Sequence, residues 1–259
     1  MILLLGGTSE TRPIALALAE KGLDVLASTA TDNELDVGNH PRIIRRSGRM
    51  NEEEMAELIS SKDIRLLLDA SHPYAAIVHQ TAFNAAKNTG VPYFRFERPG
   101  LGKGIEKIIW AEGHEDAGSC AFSFGLPVLL TTGSRNLMPY VRLARERSIP
   151  IVARVLPHVE SEEACVRAGL SGAEVIFARG PFSVEENLRV IKENKIGVVV
   201  TKDSGAAGGV EEKLEAVRIA GCRLVVVGRP SVPVSDVFTS VESVVESACA
   251  LLLLPHGTM

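Results

Sequence analysis

The chain has 259 residues, of which 46% are hydrophobic and 23% charged, with a formal net charge of 28 − 32 = −4. That composition excludes a disordered or collagen-like chain and offers no overall basic surface for nucleic acid. At about 150 residues per domain, the length gives one or two domains.

In chain order, the first half reads as strand Ile2–Leu5, a helix to about Lys21, strand Asp24–Ser28 and a strand near Ile43–Arg45. Helix Glu52–Ser60, strand Leu66–Asp69, helix Ala75–Asn88 and strands Tyr93–Glu97 and Lys107–Ala111 follow. The second half repeats the rhythm. Its strands are Val128–Thr131, Ile151–Arg154, Glu174–Ala178, Val198–Thr201 and Leu224–Val227. Its helices are Met138–Arg147, Glu162–Ala168, Val184–Asn194 and Val210–Ala220, with a last one from about Ser240 to Leu253. The strands are continuously apolar, which marks a parallel sheet covered by helices on both faces. The expected fold is α/β, with two similar doubly wound parallel-sheet domains of Rossmann or flavodoxin type.

The halves match in order at three places. Leu4-Leu5-Gly6-Gly7-Thr8-Ser9 resembles Leu129-Leu130-Thr131-Thr132-Gly133-Ser134. Leu67-Leu68-Asp69-Ala70-Ser71 resembles Val200-Thr201-Lys202-Asp203-Ser204, and Arg98-Pro99-Gly100 resembles Arg229-Pro230-Ser231. The reading is an internal duplication with its border near Ser123–Leu126, giving domains 1–124 and 125–259.

The four cysteines (Cys120, Cys165, Cys222, Cys249) form no CxxC and lie near no histidine at ligand spacing. They read as reduced core residues of a cytoplasmic protein, with no metal site. The apolar run Met1–Leu5 is too short for a signal peptide. The run Ala248–Leu254 falls far below the ~20 residues that span a bilayer, so no membrane association is expected.

In an open parallel sheet, ligands bind beyond the carboxyl ends of the strands. Gly6-Gly7-Thr8-Ser9-Glu10 leads from the first strand into a helix whose first turn holds Pro13, an arrangement suited to a phosphate. Ser28 and Thr29 end the second strand where an NAD site often carries an acid. With Arg12, Arg45 and Arg46 in the neighbourhood, they favour a 2′-phosphate, hence NADPH over NADH. In Asp69-Ala-Ser-His-Pro-Tyr-Ala75, Pro73 suits a first helical position, with His72 or Ser71 as the N-cap. Thr132-Gly133-Ser134-Arg135 is the second domain's counterpart of the first loop. Lys202-Asp203-Ser204 opens a glycine-rich loop that runs to Gly209. Arg95, Arg98, Arg154, Arg179 and Arg229 gather at strand ends, a pattern that points to an anionic ligand.

Taken together, Gly-Gly-Thr-Ser-Glu-x-Arg at 6–12, Asp-Ala-Ser-His-Pro-Tyr-Ala at 69–75, Thr-Gly-Ser-Arg-Asn at 132–136 and Thr-Lys-Asp-Ser-Gly at 201–205 resemble the precorrin-6A reductases of corrin-ring biosynthesis. The resemblance covers nearly the whole chain. It implies NADPH-dependent reduction of one ring double bond in a precorrin-6A or cobalt-precorrin-6A macrocycle, with the cofactor in an interdomain cleft. It also implies an anionic tetrapyrrole substrate, whose carboxylates suit the arginine-rich rims. The cofactor would be held by Gly6, Gly7, Thr8, Ser9, Glu10, Ser28 and Thr29 from one domain. Thr132, Gly133, Ser134, Arg135 and Ser204 would hold it from the other. His72 is the first candidate proton donor because an imidazole titrates near ~6.5. Tyr74 and Lys202 are alternatives, and Asp203 would lie near the reacting ring. Two other readings stay open at this point: a two-domain nucleotide-sugar enzyme of glycosyltransferase or epimerase type, and a non-catalytic dinucleotide-binding sensor.

Overall fold

The computed structural model describes residues 1–30, 36–100, 108–204, 209–230 and 236–253. The chain divides into two compact units, Met1–Arg98 with Ser231–Met259, and Pro99–Pro230. In chain order the first unit holds β1 (Ile2–Leu5), α1 (Thr11–Glu20), β2 (Val25–Thr29), β3 (Ile43–Ser47), α2 (Glu52–Ser61), β4 (Leu66–Asp69), α3 (Ala76–Thr89) and β5 (Tyr93–Phe96). The second unit then runs β6 (Ile108–Ala111), α4 (His114–Ser123), β7 (Val128–Leu130), α5 (Met138–Arg147), β8 (Ile151–Val155) and α6 (Val159–Arg167). It continues with β9 (Val175–Phe177), α7 (Val184–Glu193), β10 (Val198–Lys202), α8 (Val210–Ala220) and β11 (Arg223–Val227). Last come β12 (Val237–Phe238) and α9 (Val241–Leu253), which return to the first unit.

Every strand pairing is parallel. The sheet orders are β12-β5-β4-β1-β2-β3 and β6-β11-β10-β7-β8-β9. The first is the doubly wound order 3-2-1-4-5-6; the second repeats that arrangement over β7 to β11, with β6, the first of its strands in the chain, in the sixth place beside β11. The apolar runs are explained by burial on two sides. Ile2 and Leu4 of β1 pack with α1 and α9 residues such as Ile14, Leu18 and Val244. Leu3 and Leu5 pack with Met55 and Ile59 of α2 and with Ala82 and Ala86 of α3. In the second unit, Leu129, Val152 and Val199 meet Val190 of α7 and Val217 of α8.

The expected border near residue 124 is corrected. The sixth strand of each sheet comes from the other side of the chain's midpoint: β6 pairs with β11, and β12 pairs with β5. The strand expected at Lys107–Ala111 therefore belongs to the second sheet, and the helix after it, α4, lies against β6, β10 and β11. An edge strand is held by the exposed N–H and C=O row of whichever neighbour lacks a partner, so sequence order does not decide its sheet.

The internal duplication falls on equivalent topological positions, with a one-residue adjustment at two of the three matches: the ladders make Leu68, rather than Leu67, the equivalent of Val200, and the first match shifts likewise. Leu129 shares a face with α7 and α8 as Leu3 does with α2 and α3, which pairs Leu130 with Leu4 and Gly133 with Gly7. That is one residue displaced from the sequence match. The backbone agrees, since Gly7 and Gly133 both have positive φ, at 120° and 80°, a region that favours glycine. The ladder partners Phe94 of Leu68 and Val225 of Val200 carry the equivalence on to Arg98 and Arg229.

Candidate active-site loops at the carboxyl edges

In the first unit the β1–α1 turn is closed by the buried Thr11, whose Oγ1 accepts from the backbone N–H of Gly7 at 3.1 Å and of Thr8 at 3.3 Å. Thr8 Oγ1 donates to the Ala70 carbonyl at 3.0 Å, tying this turn to the end of β4. Ser9 is exposed, and its hydroxyl donates to Glu10 at 3.0 Å. Glu10 receives Arg98 Nη2 at 2.7 Å. Ser28 and Thr29 are buried at the end of β2. Arg46 donates to Ser28 Oγ at 3.3 Å, whereas Arg12 pairs with Asp36. Asp32 and Glu34, the acidic residues that follow in the sequence, lie outside the described residues.

The segment after β4 is built on a buried charge network. Asp69 Oδ1 accepts from Ser71 N at 2.9 Å, Ser71 Oγ at 2.6 Å and Arg95 Nη1 at 3.0 Å. Asp69 Oδ2 accepts from His79 Nδ1 and from the Tyr93 hydroxyl, each at 2.8 Å. Arg95 Nη2 meets His79 Nε2 at 3.2 Å. The Asp69 carboxylate only accepts, so Nδ1 carries the proton given to it, while Nε2 faces both the Arg95 donor and the Pro73 carbonyl at 3.3 Å. Burial alone pushes the Asp69 carboxyl up. The His79 hydrogen bond and the Arg95 charge outweigh it and hold the pKa at about 2. Burial, then the neighbouring Asp69 carboxylate, pushes the Tyr93 phenol well above its usual range.

Arg95 also donates to the carbonyls of Asp69 and Ser71, at 3.0 and 3.3 Å. The turn that follows presents His72, exposed, with Nδ1 accepting from Tyr74 N–H at 3.3 Å. The His72 and Tyr74 rings lie 5.8 Å apart. The expected cap is corrected: α3 begins at Ala76 with Ala75 as N-cap. Pro73 stands in the turn ahead of the helix: the Ser71 N–H and carbonyl are taken by Asp69 and Arg95, and the His72 carbonyl accepts from Ala75 N–H at 2.8 Å.

In the second unit, Thr132 is buried after β7 and its Oγ1 has no hydrogen-bond partner. Gly133 turns the chain, Ser134 Oγ donates to Ser161 Oγ at 3.3 Å, and Arg135 is exposed. Lys202 ends β10, half buried. Burial, then the Arg135 charge, lowers its pKa. His114, at the start of α4, is held down at about 4 by burial and then by Lys202, and its Nδ1 lies 2.8 Å from the Tyr140 hydroxyl. Asp203 is buried, and Arg229 Nε reaches its Oδ2 at 3.2 Å and its carbonyl at 3.0 Å. A Cβ at Gly100 would collide with the same carboxylate. Ser204 N–H donates to Lys202 O at 2.9 Å. Residues 205–208 of the glycine-rich loop, and Ser231, lie outside the described residues.

The strand-end arginines divide. Arg95, Arg98 and Arg229 are paired with Asp69, Glu10 and Asp203. For these three the expectation of an anionic ligand gives way to internal ion pairs. His79 and Tyr93 are the functional-edge residues that the sequence did not single out. The signal was Arg95 itself: a charge within the buried run Tyr93–Phe96 requires an acid nearby, and Asp69 ends the neighbouring strand.

No cluster of metal-ligating side chains and no helix long and apolar enough to cross a membrane occurs among the described residues. All four cysteines are free.

Three comparisons bear on this arrangement. The sequence profile of the family described as "Precorrin-6x reductase CbiJ/CobK" matches residues 1–248. A cobalt-precorrin-6A reductase of Priestia megaterium is 33% identical over 248 residues, covering 95% of this chain and 97% of the relative. A precorrin-6A reductase of Rhodococcus erythropolis is 30% identical over 243 residues, covering 90% of each. The solved structure described as "CobK precorrin-6A reductase" aligns with a TM-score of 0.77 at 26% identity, over 99% of both chains.

Proposed function

This chain belongs to the precorrin-6x reductase family, and on that premise we propose that it reduces one ring double bond of a precorrin-6A-type macrocycle with NADPH. Family membership over residues 1–248 carries the reading. It sets aside the nucleotide-sugar and sensor alternatives. The substrate is an anionic tetrapyrrole and the setting the cytoplasm; the free cysteines are consistent with a reducing compartment.

The residues present fit a nicotinamide nucleotide. The Gly6–Glu10 and Thr132–Arg135 turns each lie at the carboxyl end of a central strand and precede a helix, the setting in which backbone N–H groups receive phosphates. Thr132 Oγ1, buried and unpartnered, awaits a polar group. The residues that would hold it are Gly6, Gly7, Thr8, Ser9, Glu10, Ser28 and Thr29 among the loops of the first unit, and Thr132, Gly133, Ser134, Arg135 and Ser204 among those of the second. When bound, the reduced nicotinamide supplies a hydride to one carbon of the double bond.

The chain's own side chains orient the reactants and deliver the balancing proton to the neighbouring carbon. His72 is the first choice as donor. With Nδ1 accepting from Tyr74 N–H, its transferable proton sits on Nε2. Lys202 is the second: its lowered pKa brings an ammonium closer to the range useful for proton transfer. Tyr74 is the third. Asp203, fixed by Arg229, shapes the loop beside Lys202.

Alanine at His72 and at Lys202 tests the assignment by steady-state turnover. At least one variant loses about tenfold or more, the scale of a lost proton-transfer or charge-stabilising group. Full activity in both leaves neither residue a role.

A further inference from the structure

Of residues 69–73, at the carboxyl end of β4, His72 alone is exposed. The backbone on either side of it is held from beneath. The Asp69 and Ser71 carbonyls accept from Arg95 Nη1, at 3.0 and 3.3 Å. The Ala70 carbonyl accepts from Thr8 Oγ1 at 3.0 Å, and the His72 carbonyl from Ala75 N–H at 2.8 Å. The Pro73 carbonyl lies 3.3 Å from Nε2 of His79, a residue 1% exposed whose Nδ1 donates to Asp69.

We propose that Asp69, His79 and Arg95 are positioning residues, which act through the backbone of the 71–75 turn to hold the His72 ring in place, with the His79 ring as the support beneath Pro73. An aspartate, an arginine and a histidine in one desolvated cluster are seldom worth more to stability than apolar side chains of the same volume. What a fully bonded network supplies is a single geometry, because each lost bond leaves a buried polar group unpaired. Here that geometry belongs to a turn whose outward side chain is an imidazole. Asp69 and Arg95 are fully buried and His79 nearly so, so the three serve the reaction by way of the turn and touch no reactant.

The role rests on the reductase reading, in which His72 delivers the proton. Its ring is oriented by Nδ1 accepting from Tyr74 N–H at 3.3 Å, a bond that lasts only while residues 72–74 keep their turn. Displacing a reacting group by about 1 Å costs up to about a hundredfold in rate. Two substitutions dissect the support. Asparagine puts an amide nitrogen where Nδ1 stands and nothing where Nε2 stands, so His79→Asn keeps the Asp69 bond and removes the contact with Pro73 and Arg95. Arg95→Lys keeps a charge beside Asp69 and removes the planar fork that reaches the carbonyls and His79 together.

The test reads amide hydrogen exchange and the His72 ring-nitrogen shifts by NMR in the full chain, together with steady-state kcat and KM, in wild type and both variants. In the variants the Tyr74 and Ala75 amides should exchange about tenfold or more faster, while Ala82 and Ala85 within α3 keep their wild-type rates. The His72 nitrogens should no longer report one fixed tautomer. Turnover should fall by about tenfold or more in kcat, with KM for NADPH and for the macrocycle within about twofold. On a His72→Ala background, His79→Asn should cost less than about twofold further, since both substitutions then remove one function. His79→Asn, which keeps the Asp69 bond, carries the test where Arg95→Lys does not fold. Folded variants whose Tyr74 and Ala75 amides and His72 nitrogens match wild type overturn the proposal, even if they melt lower. So does a full further loss of kcat in the double variant. A wild type that reduces no macrocycle removes the reductase reading alone, because exchange and nitrogen shifts are read without substrate.

Discussion

Asp69→Asn is the sharpest perturbation of the first unit. The carboxylate receives Ser71 N, Ser71 Oγ, His79 Nδ1, Tyr93 OH and Arg95 Nη1, all within 2.6–3.0 Å. Asparagine keeps the shape but turns one acceptor into a donor and leaves the Arg95 guanidinium, itself fully buried, without its main counter-charge. Breaking one side of a buried pair costs about 3–5 kcal/mol. Glu97, 3.4 Å from Arg95 Nε and partly exposed, recovers some of it, so the expected loss is about 3 kcal/mol. A second figure follows from the lowered pKa of the carboxyl. A carboxyl moved from 3.8 to about 2 corresponds to about 2 kcal/mol of linkage free energy. Because the folded pKa is the lower one, that stabilisation is present above pH ~4 and is lost as pH falls towards ~2. Urea denaturation followed by circular dichroism, at pH 7 and through the acid range, measures both figures. The variant should unfold at markedly lower urea at pH 7 and lack this part of the wild-type acid limb. A loss below about 1 kcal/mol, or acid limbs of equal slope, refutes the reasoning.

Two further outcomes are expected. A Cβ at Gly6 would stand 2.5 Å from Thr11 Cγ2 and 2.8 Å from its Oγ1; because Thr11 is short and fully buried, Gly6→Ala should cost about 1–3 kcal/mol and weaken NADPH binding, read by thermal melting and titration. If Lys202 is the titrating donor, its acid form is lost as pH rises, and the Arg135 charge helps bring that loss to lower pH. Arg135→Gln should therefore move the alkaline limb of kcat to higher pH, and an unshifted limb would rule Lys202 out as the titrating group.

The layered architecture was legible because a strand covered on both sides is apolar along its buried length, as β1 and β7 are throughout and β4 is up to Leu68. The exchange of sixth strands was not, since Ile108–Ala111 and Val237–Phe238 carry no mark of which sheet they complete. Helix α4 escaped notice because its buried face is Ala117, Gly118, Ala121 and Phe122, too small a stripe to register as amphipathic. The candidate loops were legible, and the side chains that support them from beneath were not. His72, Tyr74 and Lys202 stand at strand ends, as the topology requires. The supporting His79 and Tyr93 read as ordinary helix and strand residues until Asp69 and Arg95 bring them together.

The most direct measurement mixes the purified chain with NADPH and an oxidised precorrin-6A-type macrocycle and records both chromophores. Equal, enzyme-dependent losses of reduced nicotinamide and of oxidised macrocycle are the predicted result. Two spectra that stay unchanged with either nucleotide, and with the macrocycle in both its metal-free and its cobalt form, contradict it.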